Sequence, residues 1–538
     1  MSRSFLRASF LRASFRRGNA ALFAAATATC TVAIAPGPLP VHAEAAPPRT
    51  QEVEALGVGW PKGQPLPAPG TLPEISEKQL AGLSLDEAVR ISNQRNPVVR
   101  QAYEQLVATQ NNLGAAYASW WPVINQSLNG GMEGERAYYN YLGALTGVGA
   151  PAFGPNANAQ AFSSSYFQSV GQLDITWNLL DPARTPTIWQ NKYLVRQAAD
   201  TYVIARRDNK LKTEEAFINL QSANAKILTG QQLVANDQLL YRLAQIRMKQ
   251  GLGSRLELAK QETALKTDQV NLALAQQTAL EAQAVVAQQL SVLQAAAIQP
   301  ATQLAPLGAW PHSLDATITA SMQYRKVLEQ QLMAVKINEA QAQIDLAIYR
   351  PTLALVNTLY WTKGVGYTSL GPPWVQNARS DQWNASALLQ ISFTGFDGGQ
   401  ARMRAAAAMR QAKAAEAGYQ AAVNQVRQDA QTFHAQSRQG REAVLLAAGR
   451  MQAASSALRL QSLRFDAGYG TITDVVQAQQ DLTQAVSVYI DVLANYNIAL
   501  VTLSRITGLA YEPDAALLTS VGYPFANLAL PRRLRQSS

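Results

Sequence analysis

Two runs of this chain, from Asp181-Pro182 to Gln250 and from Gly398 to Ala467, pass without a strong helix breaker, and each ends on a pair of closely spaced glycines. As helices they are about 68 residues each, or about 100 Å. Few globular cores are that long, so the chain is expected to build helix on helix in long antiparallel hairpins. The turn sequences that close the two runs repeat one pattern: "GLGSRLELAKQETAL" from Gly251 to Leu265 and "GYGTITDVVQAQQDL" from Gly468 to Leu482.

The turns belong to a duplication that covers most of the chain. "SLDEAVRISNQRNPVVRQAYEQLVATQNNLGAAYASWWP" from Ser84 answers to "SLDATITASMQYRKVLEQQLMAVKINEAQAQIDLAIYRP" from Ser313, and "LDITWNLLD" ending at Asp181 answers to "LQISFTGFD" ending at Asp397. Each half is expected to run helix, strand pair, long helix, turn, helix. The organisation read from this is a leader at 1–43, a Pro/Gly-rich linker at 44–83, a first repeat at 84–300, a linker at 301–312, a second repeat at 313–508 and a tail at 509–538. Helices over 84–121 and 254–298, placed end to end, match one long helix in length. The helix seams are expected at Leu256, Ala259, Glu262, Thr263 and Leu265 in one copy and at Val475, Ala478, Leu482, Ala485 and Val488 in the other.

The strands alternate with a period of two. Phe167, Ser169, Gly171, Leu173, Ile175, Trp177 and Leu179 share one parity, against Gln168, Val170, Gln172, Asp174, Thr176 and Asn178. In the second half Trp383, Ala385, Ala387, Leu389, Ile391 and Phe393 oppose Asn384, Ser386, Leu388, Gln390, Ser392 and Thr394. Their hairpin partners are expected over Val123–Met132 and Thr352–Trp361, joined by loops at 133–165 and 362–382, the first of them carrying Tyr138, Tyr139 and Tyr141. A sheet with one apolar-aromatic face and one hydroxyl-amide face fits a boundary between lipid and water. It fits equally an ordinary sheet with one face on a protein core. The aromatic residues near the strand ends (Trp120, Trp121, Tyr166, Trp177, Trp361, Trp383) favour the membrane. Four strands cannot close a transmembrane barrel, for which about eight is the smallest common number, so copies of the chain would have to pool their strands.

Composition removes several function classes. Residues 1–17 hold Arg3, Arg7, Arg12, Arg16 and Arg17 and no acid; "ALFAAATATCTVAIA" follows as an apolar core and "VHAEAA" offers a cleavage site near Ala43, the order of a secretory signal peptide. Its removal takes away about half of the net charge of +10, so the basic balance does not indicate nucleic acid. Cys30, the single cysteine, lies in that apolar core behind Thr29, and neither lipidation nor a disulfide is expected. Outside the leader only His312 and His434 remain, too few for a metal centre or a Ser-His-Asp arrangement. "GLG" and "GYG" stop after two glycines and follow helices, so no nucleotide-binding loop is present. No enzymatic activity, cofactor or metal is expected.

Taken together, the duplication, the "SLDEAV" opening, "FDGGQAR" at Phe396–Arg402 and "AGYGTITDVVQAQQDL" resemble the TolC-like outer-membrane factor family over about residues 84–508. The resemblance implies a mainly α fold with a β-barrel part: long antiparallel helical hairpins forming a periplasmic tunnel, and four strands per chain in a shared transmembrane β-barrel of a homotrimer. It implies passive export of drugs, other small molecules or proteins, in partnership with a periplasmic adaptor and an inner-membrane pump of RND or ABC type. On this basis Gly251, Leu252, Gly253 and Ser254, with Gly468, Tyr469, Gly470 and Thr471, are expected as adaptor-contacting turns. Phe167, Leu173, Ile175, Trp177, Leu389, Ile391 and Phe393 are expected to face outer-membrane lipid. Glu257 and Asp474 stand at equivalent positions and are expected at a periplasmic gate, where a ring of acids would favour cations; an acid in a helix's first turn is equally well placed to complement the macrodipole. The chain departs from the family in carrying Gln477 at the place of a second acid, and Phe465 and Gly470 where some members lock the entrance with tyrosine and arginine. A periplasmic coiled-coil scaffold or adaptor without a channel is the alternative reading.

Overall fold

The computed structural model describes residues 75, 77–139, 160–293, 297–369, 375–515 and 517. The leader, nearly all of the first linker, Tyr141 and most of the tail lie outside them. Two short helices open the first repeat, α1 (Leu85–Arg95) and α2 (Pro97–Ala118), followed by strands β1 (Val123–Tyr139) and β2 (Gln160–Leu180). The long helix α3 (Arg184–Lys249) and its partner α4 (Arg255–Leu290) complete it. The second repeat runs α5 (Leu314–Tyr324), α6 (Lys326–Leu346), β3 (Thr352–Ser369), β4 (Val375–Ser392), α7 (Gln400–Asp466) and α8 (Ile472–Thr507).

Where one continuous helix was expected at the head of each repeat, the structure has two. Pro97 restricts the residue before it, and Asn96 turns to φ −63°, ψ 123° while its side chain accepts the Val98 N–H at 2.9 Å, capping α2. The second repeat breaks at the equivalent Arg325 (φ −76°, ψ 109°) without a proline. There Arg325 reaches across to Asp429 of α7 at 2.5 Å. Helix α4 also ends earlier than expected, at Leu290, with Ser291 in the left-handed region at φ 54°.

The four strands form one antiparallel sheet in the order β1-β2-β3-β4. They run past the expected boundaries, so Tyr138 and Tyr139 belong to β1, paired with Ala161 and Gln160, and the loops shrink accordingly. Phe393 falls one residue beyond β4. Strand-to-helix corners are fixed by aspartate: Asp181 accepts the Ala183 N–H at 2.9 Å, and Asp397 accepts those of Gly399 at 2.9 Å and Ala401 at 2.8 Å and the Tyr349 hydroxyl at 2.6 Å. At the first corner the Arg184 guanidinium lies 4.2 Å over the Trp120 ring.

The core is helical and lopsided. Helix α8 buries 21 residues of its 36, among them Tyr489, Ile490, Leu493 and Leu500, whereas α4, of equal length, buries seven. Helix α8 is long and apolar enough to cross a membrane by composition, but two thirds of that stretch is buried inside the fold, as befits a core helix. The seam expected in the second copy is the observed one, with Val475, Leu482 and Ala485 fully buried and Val488 half-buried. In the first copy only Leu265 is buried; Leu256, Ala259, Glu262 and Thr263 face outward, because α4 presents Gln261, Ala264 and Leu265 to its neighbours instead. His312 and His434, far apart in sequence, are brought together through the His312 carbonyl, 3.3 Å from His434 Nε2.

Candidate functional site

The turn between α3 and α4 reads out its sequence directly. Gly251 adopts φ +73°, the Leu252 N–H donates to the Arg247 carbonyl at 2.9 Å and the Gly251 N–H to that of Met248 at 3.1 Å. This is the paired bonding of a Schellman cap, which needs a left-handed residue and so selects glycine. The second turn repeats it bond for bond: Gly468 at φ +80°, Tyr469 to Arg464 at 2.9 Å and Gly468 to Phe465 at 3.0 Å. The second glycine of each pair is needed for closeness. A Cβ on Gly253 would stand 3.2 Å from the Met248 nitrogen, and one on Gly470 3.1 Å from that of Phe465.

Ser254 and Thr471 then start the returning helices with matched capping boxes. The Ser254 hydroxyl accepts the Glu257 N–H and the Glu257 carboxylate accepts the Ser254 N–H, both at 3.1 Å. Thr471 and Asp474 do the same at 3.2 and 3.1 Å. Hydrogen bonds from the Thr471 backbone and side chain hold the Asp474 carboxyl below the usual carboxylate range. Each acid therefore has one oxygen engaged on its own helix start while the carboxylate remains at the tip. Gln477, one turn on, donates to Asp481 at 3.1 Å.

Both tips lie side by side. Leu243 and Ala244 of α3 share a buried cluster with Phe465 and Ile472 of the second hairpin, and the Arg247 guanidinium sits 5.0 Å over the Phe465 ring. Nothing local in either turn pairs Arg247 with Phe465, since the contact joins the two repeats. Beyond this shared base the tips project apolar side chains into solvent, with Leu252 67% and Tyr469 83% exposed.

The sheet is the second candidate surface. Its register brings Trp177, Leu355 and Leu389 into one cross-strand row, Leu173, Leu359 and Ala385 into another, and Leu128, Gly171, Trp361 and Trp383 into a third, all on one face. A Cβ on Gly171 would stand 2.0 Å from the Trp361 ring, so the glycine makes room for the indole across the strand pair. From Ile391 to Trp383 this apolar band runs about 27 Å along the strand, or about 20 Å upright at the tilt of a barrel strand. The next row is charged, Lys363 facing Asp381 at 4.0 Å, and Phe167 lies one row beyond it. On the opposite face Asp174 accepts from Gln172 at 2.7 Å and Thr358 at 2.9 Å. Among the described residues no helix packs across either face, and Ile124, Leu128, Leu389 and Ile391 remain more than half exposed. Leu173 and Ile175 are half-buried in the same band.

Comparison with known proteins agrees with this architecture. Among curated protein sequences none is a significant match. Solved structures that resemble the chain include a membrane protein from Pseudomonas aeruginosa (17% identity, TM-score 0.63, covering 83% of this chain and 99% of that one). The Campylobacter jejuni CmeC outer membrane channel is similar at 16% identity and TM-score 0.60 (86% and 94%). So is the open state of the Neisseria gonorrhoeae MtrE outer membrane channel, at 16% and 0.59 (80% and 90%). These likenesses establish the shared fold of mainly helical hairpins with a small antiparallel sheet. The family model described as outer membrane efflux protein matches residues 89–291 and 321–509, one stretch in each repeat and together well over half of the sequence. The chain belongs to the outer membrane efflux protein family, whose members are channels and not enzymes.

Proposed function

We propose that the chain is one protomer of a homotrimeric duct that passively conducts small molecules or secreted proteins outward from an inner-membrane pump across the periplasm and the outer membrane. The observation that carries this reading is the sheet. Among the described residues it has a largely apolar face that no helix covers and two strand edges without partners. Such edges invite pairing, and such a face invites lipid. Because β1 and β4 run antiparallel, joining β4 of one copy to β1 of the next keeps every pair in the closed barrel antiparallel. Leu173, Ile175, Trp177, Leu389 and Ile391 would then meet the hydrocarbon, with Phe167 and Phe393 near its two borders.

The helical hairpins would form the periplasmic tunnel, their tips at 251–254 and 468–471 meeting the adaptor through Leu252 and Tyr469, and Glu257 and Asp474 ringing the entrance. A cleaved leader would bring the chain to the envelope. The pump, of RND or ABC type, would supply the energy. The scaffold alternative has no use for four alternating strands tied to both repeats.

Single-channel conductance of the mature protein in planar bilayers, beside an E257A/D474A variant, tests the reading. The expected result is a small cation-selective conductance that rises or loses its selectivity in the variant. Conductance indifferent to the variant would retain the duct and remove the acidic ring, and a folded oligomer that never conducts would favour the scaffold.

A further inference from the structure

The two helical hairpins follow one pattern, and at one register they part. Counting equally from the two glycine turns, Asp237 of α3 answers to Ala454 of α7 and Asp268 of α4 to Ala485 of α8. In the second hairpin these alanines are apolar core: Ala485 is completely buried and Ala454 packs against the same cluster. In the first hairpin two carboxyls meet across the α3–α4 seam within hydrogen-bond reach. Asp237 is 2% exposed, between Leu233 and Leu240, which are also buried. The pair sits about 18 Å of helix above the Lys249 end of α3.

Little around the pair can neutralise two negative charges. On α3, Lys226 reaches the groove beside Asp268, but its Nζ is 2.6 Å from Asp491 of α8. On α4 the Asn271 amide donates to Asp268 at 3.3 Å, while Glu262 and Lys266 are exposed. Helix α8 presents the uncharged Thr483, Gln484 and Ser487 to the groove, and its Asp481 is held by Gln477. Burial first, and then the neighbouring Asp268, push the Asp237 carboxyl well above the ordinary carboxylate range. Burial likewise raises Asp268.

We propose that Asp237 and Asp268 share one proton across the α3–α4 seam, forming a pH-operated clasp in the first hairpin that the second hairpin lacks. With the proton in place one carboxyl donates to the other, and the seam is closed. Without it two carboxylates face each other, Asp237 2% exposed and Asp268 at the edge of the groove, and the seam gains by opening to water. The sign follows from the raised affinity of the closed form. The clasp is fully closed below the ordinary carboxylate pKa and weakens as pH rises toward the raised value, by up to about tenfold per pH unit for one proton. What the clasp gates rests on the tunnel reading, but the clasp itself is a property of the hairpin.

Hydrogen exchange of the full chain in detergent micelles from pH 5 to pH 8, corrected for intrinsic rates, tests it. Peptides spanning 230–245 and 262–275 should lose protection by up to about tenfold per pH unit, while those around 447–462 and 479–492 stay level. D237N should flatten the response. So should the D237A/D268A double variant, which gives the first hairpin the alanine pair that the second already packs. A flat wild type, an equal response in both hairpins, or a response that survives either variant would overturn the proposal. None of these readouts requires conductance, so failure here leaves the duct reading intact and failure of the duct leaves the clasp standing.

Discussion

Asp200 shows how a single side chain carries a cost that the fold keeps. It is 3% exposed on α3, and burial first, then the nearby Glu329, raise its carboxyl to about 6 despite Lys326, Arg196 and Arg207 close by. A carboxyl raised in the folded state costs nothing below the unfolded pKa and its full amount above the folded one. D200N should therefore stabilise the protein by on the order of 2 kcal/mol at pH 8 and leave it unchanged near pH 4, read as the shift in chemical unfolding midpoint at the two pH values. The tip glycines obey a different physics. Gly251→Ala or Gly468→Ala places a Cβ at positive φ and should cost about 1 kcal/mol by the same assay. Local spacing announced both glycines; nothing local announced Asp200, since its burial comes from a helix more than a hundred residues away in the chain.

At the scale of elements, duplication is the rule and its breaches are informative. Ser254 and Thr471 cap α4 and α8 in the same way, so Ser254→Ala and Thr471→Ala should each cost about 1 kcal/mol, seen as faster exchange in the first turn of the helix concerned. The packing of those two helices is not the same. Leu482→Ala, at a fully buried position of α8, should cost about 2–5 kcal/mol, whereas Leu256→Ala on α4, where the side chain is 65% exposed, should stay within about 0.5 kcal/mol for the protomer. Both leucines satisfy the same apolar spacing. Periodicity reports that a stripe exists, and only the neighbours decide whether the stripe is covered within one chain. The interrupted helix at the head of each repeat makes a related point: Asn96-Pro97 declares its break in the sequence, but the break at Arg325 has no proline and coincides with an ion pair to Asp429 in another helix.

For the whole molecule the sheet makes the sharpest demand. Among the described residues its edges have no partners and no helix covers its apolar face, demands that one copy does not meet and that assembly in lipid would meet together. Cysteines placed one at a time with a partner along β1 (Asn125, Ser127, Asn129) and β4 (Ser386, Gln390, Ser392) should give cross-linked ladders ending at three copies on denaturing gels. Ladders that end at two copies would replace the trimer with another closure. Charge on the apolar face supplies a second measure: Leu389→Arg should cost about 2–4 kcal/mol of membrane-inserted stability, against far less for Gln390→Arg on the opposite face.

The long helices, the strand pairs and their repetition are written in local patterns of the chain. The length of the two long helices follows from the absence of breakers, the turns from glycines at positive φ, the strand faces from a period of two, and the capping boxes from Ser254-Glu257 and Thr471-Asp474, all of which are local requirements of the backbone. Packing between distant segments sets which stripes are core, why α8 is far more buried than α4, that Arg247 meets Phe465, and that Asp237 meets Asp268 where the other repeat has alanines at one core cluster. These depend on how far apart in the chain two surfaces can be and still meet. Burial, and with it the free energy of a charge, is a property of the surroundings and not of the residue.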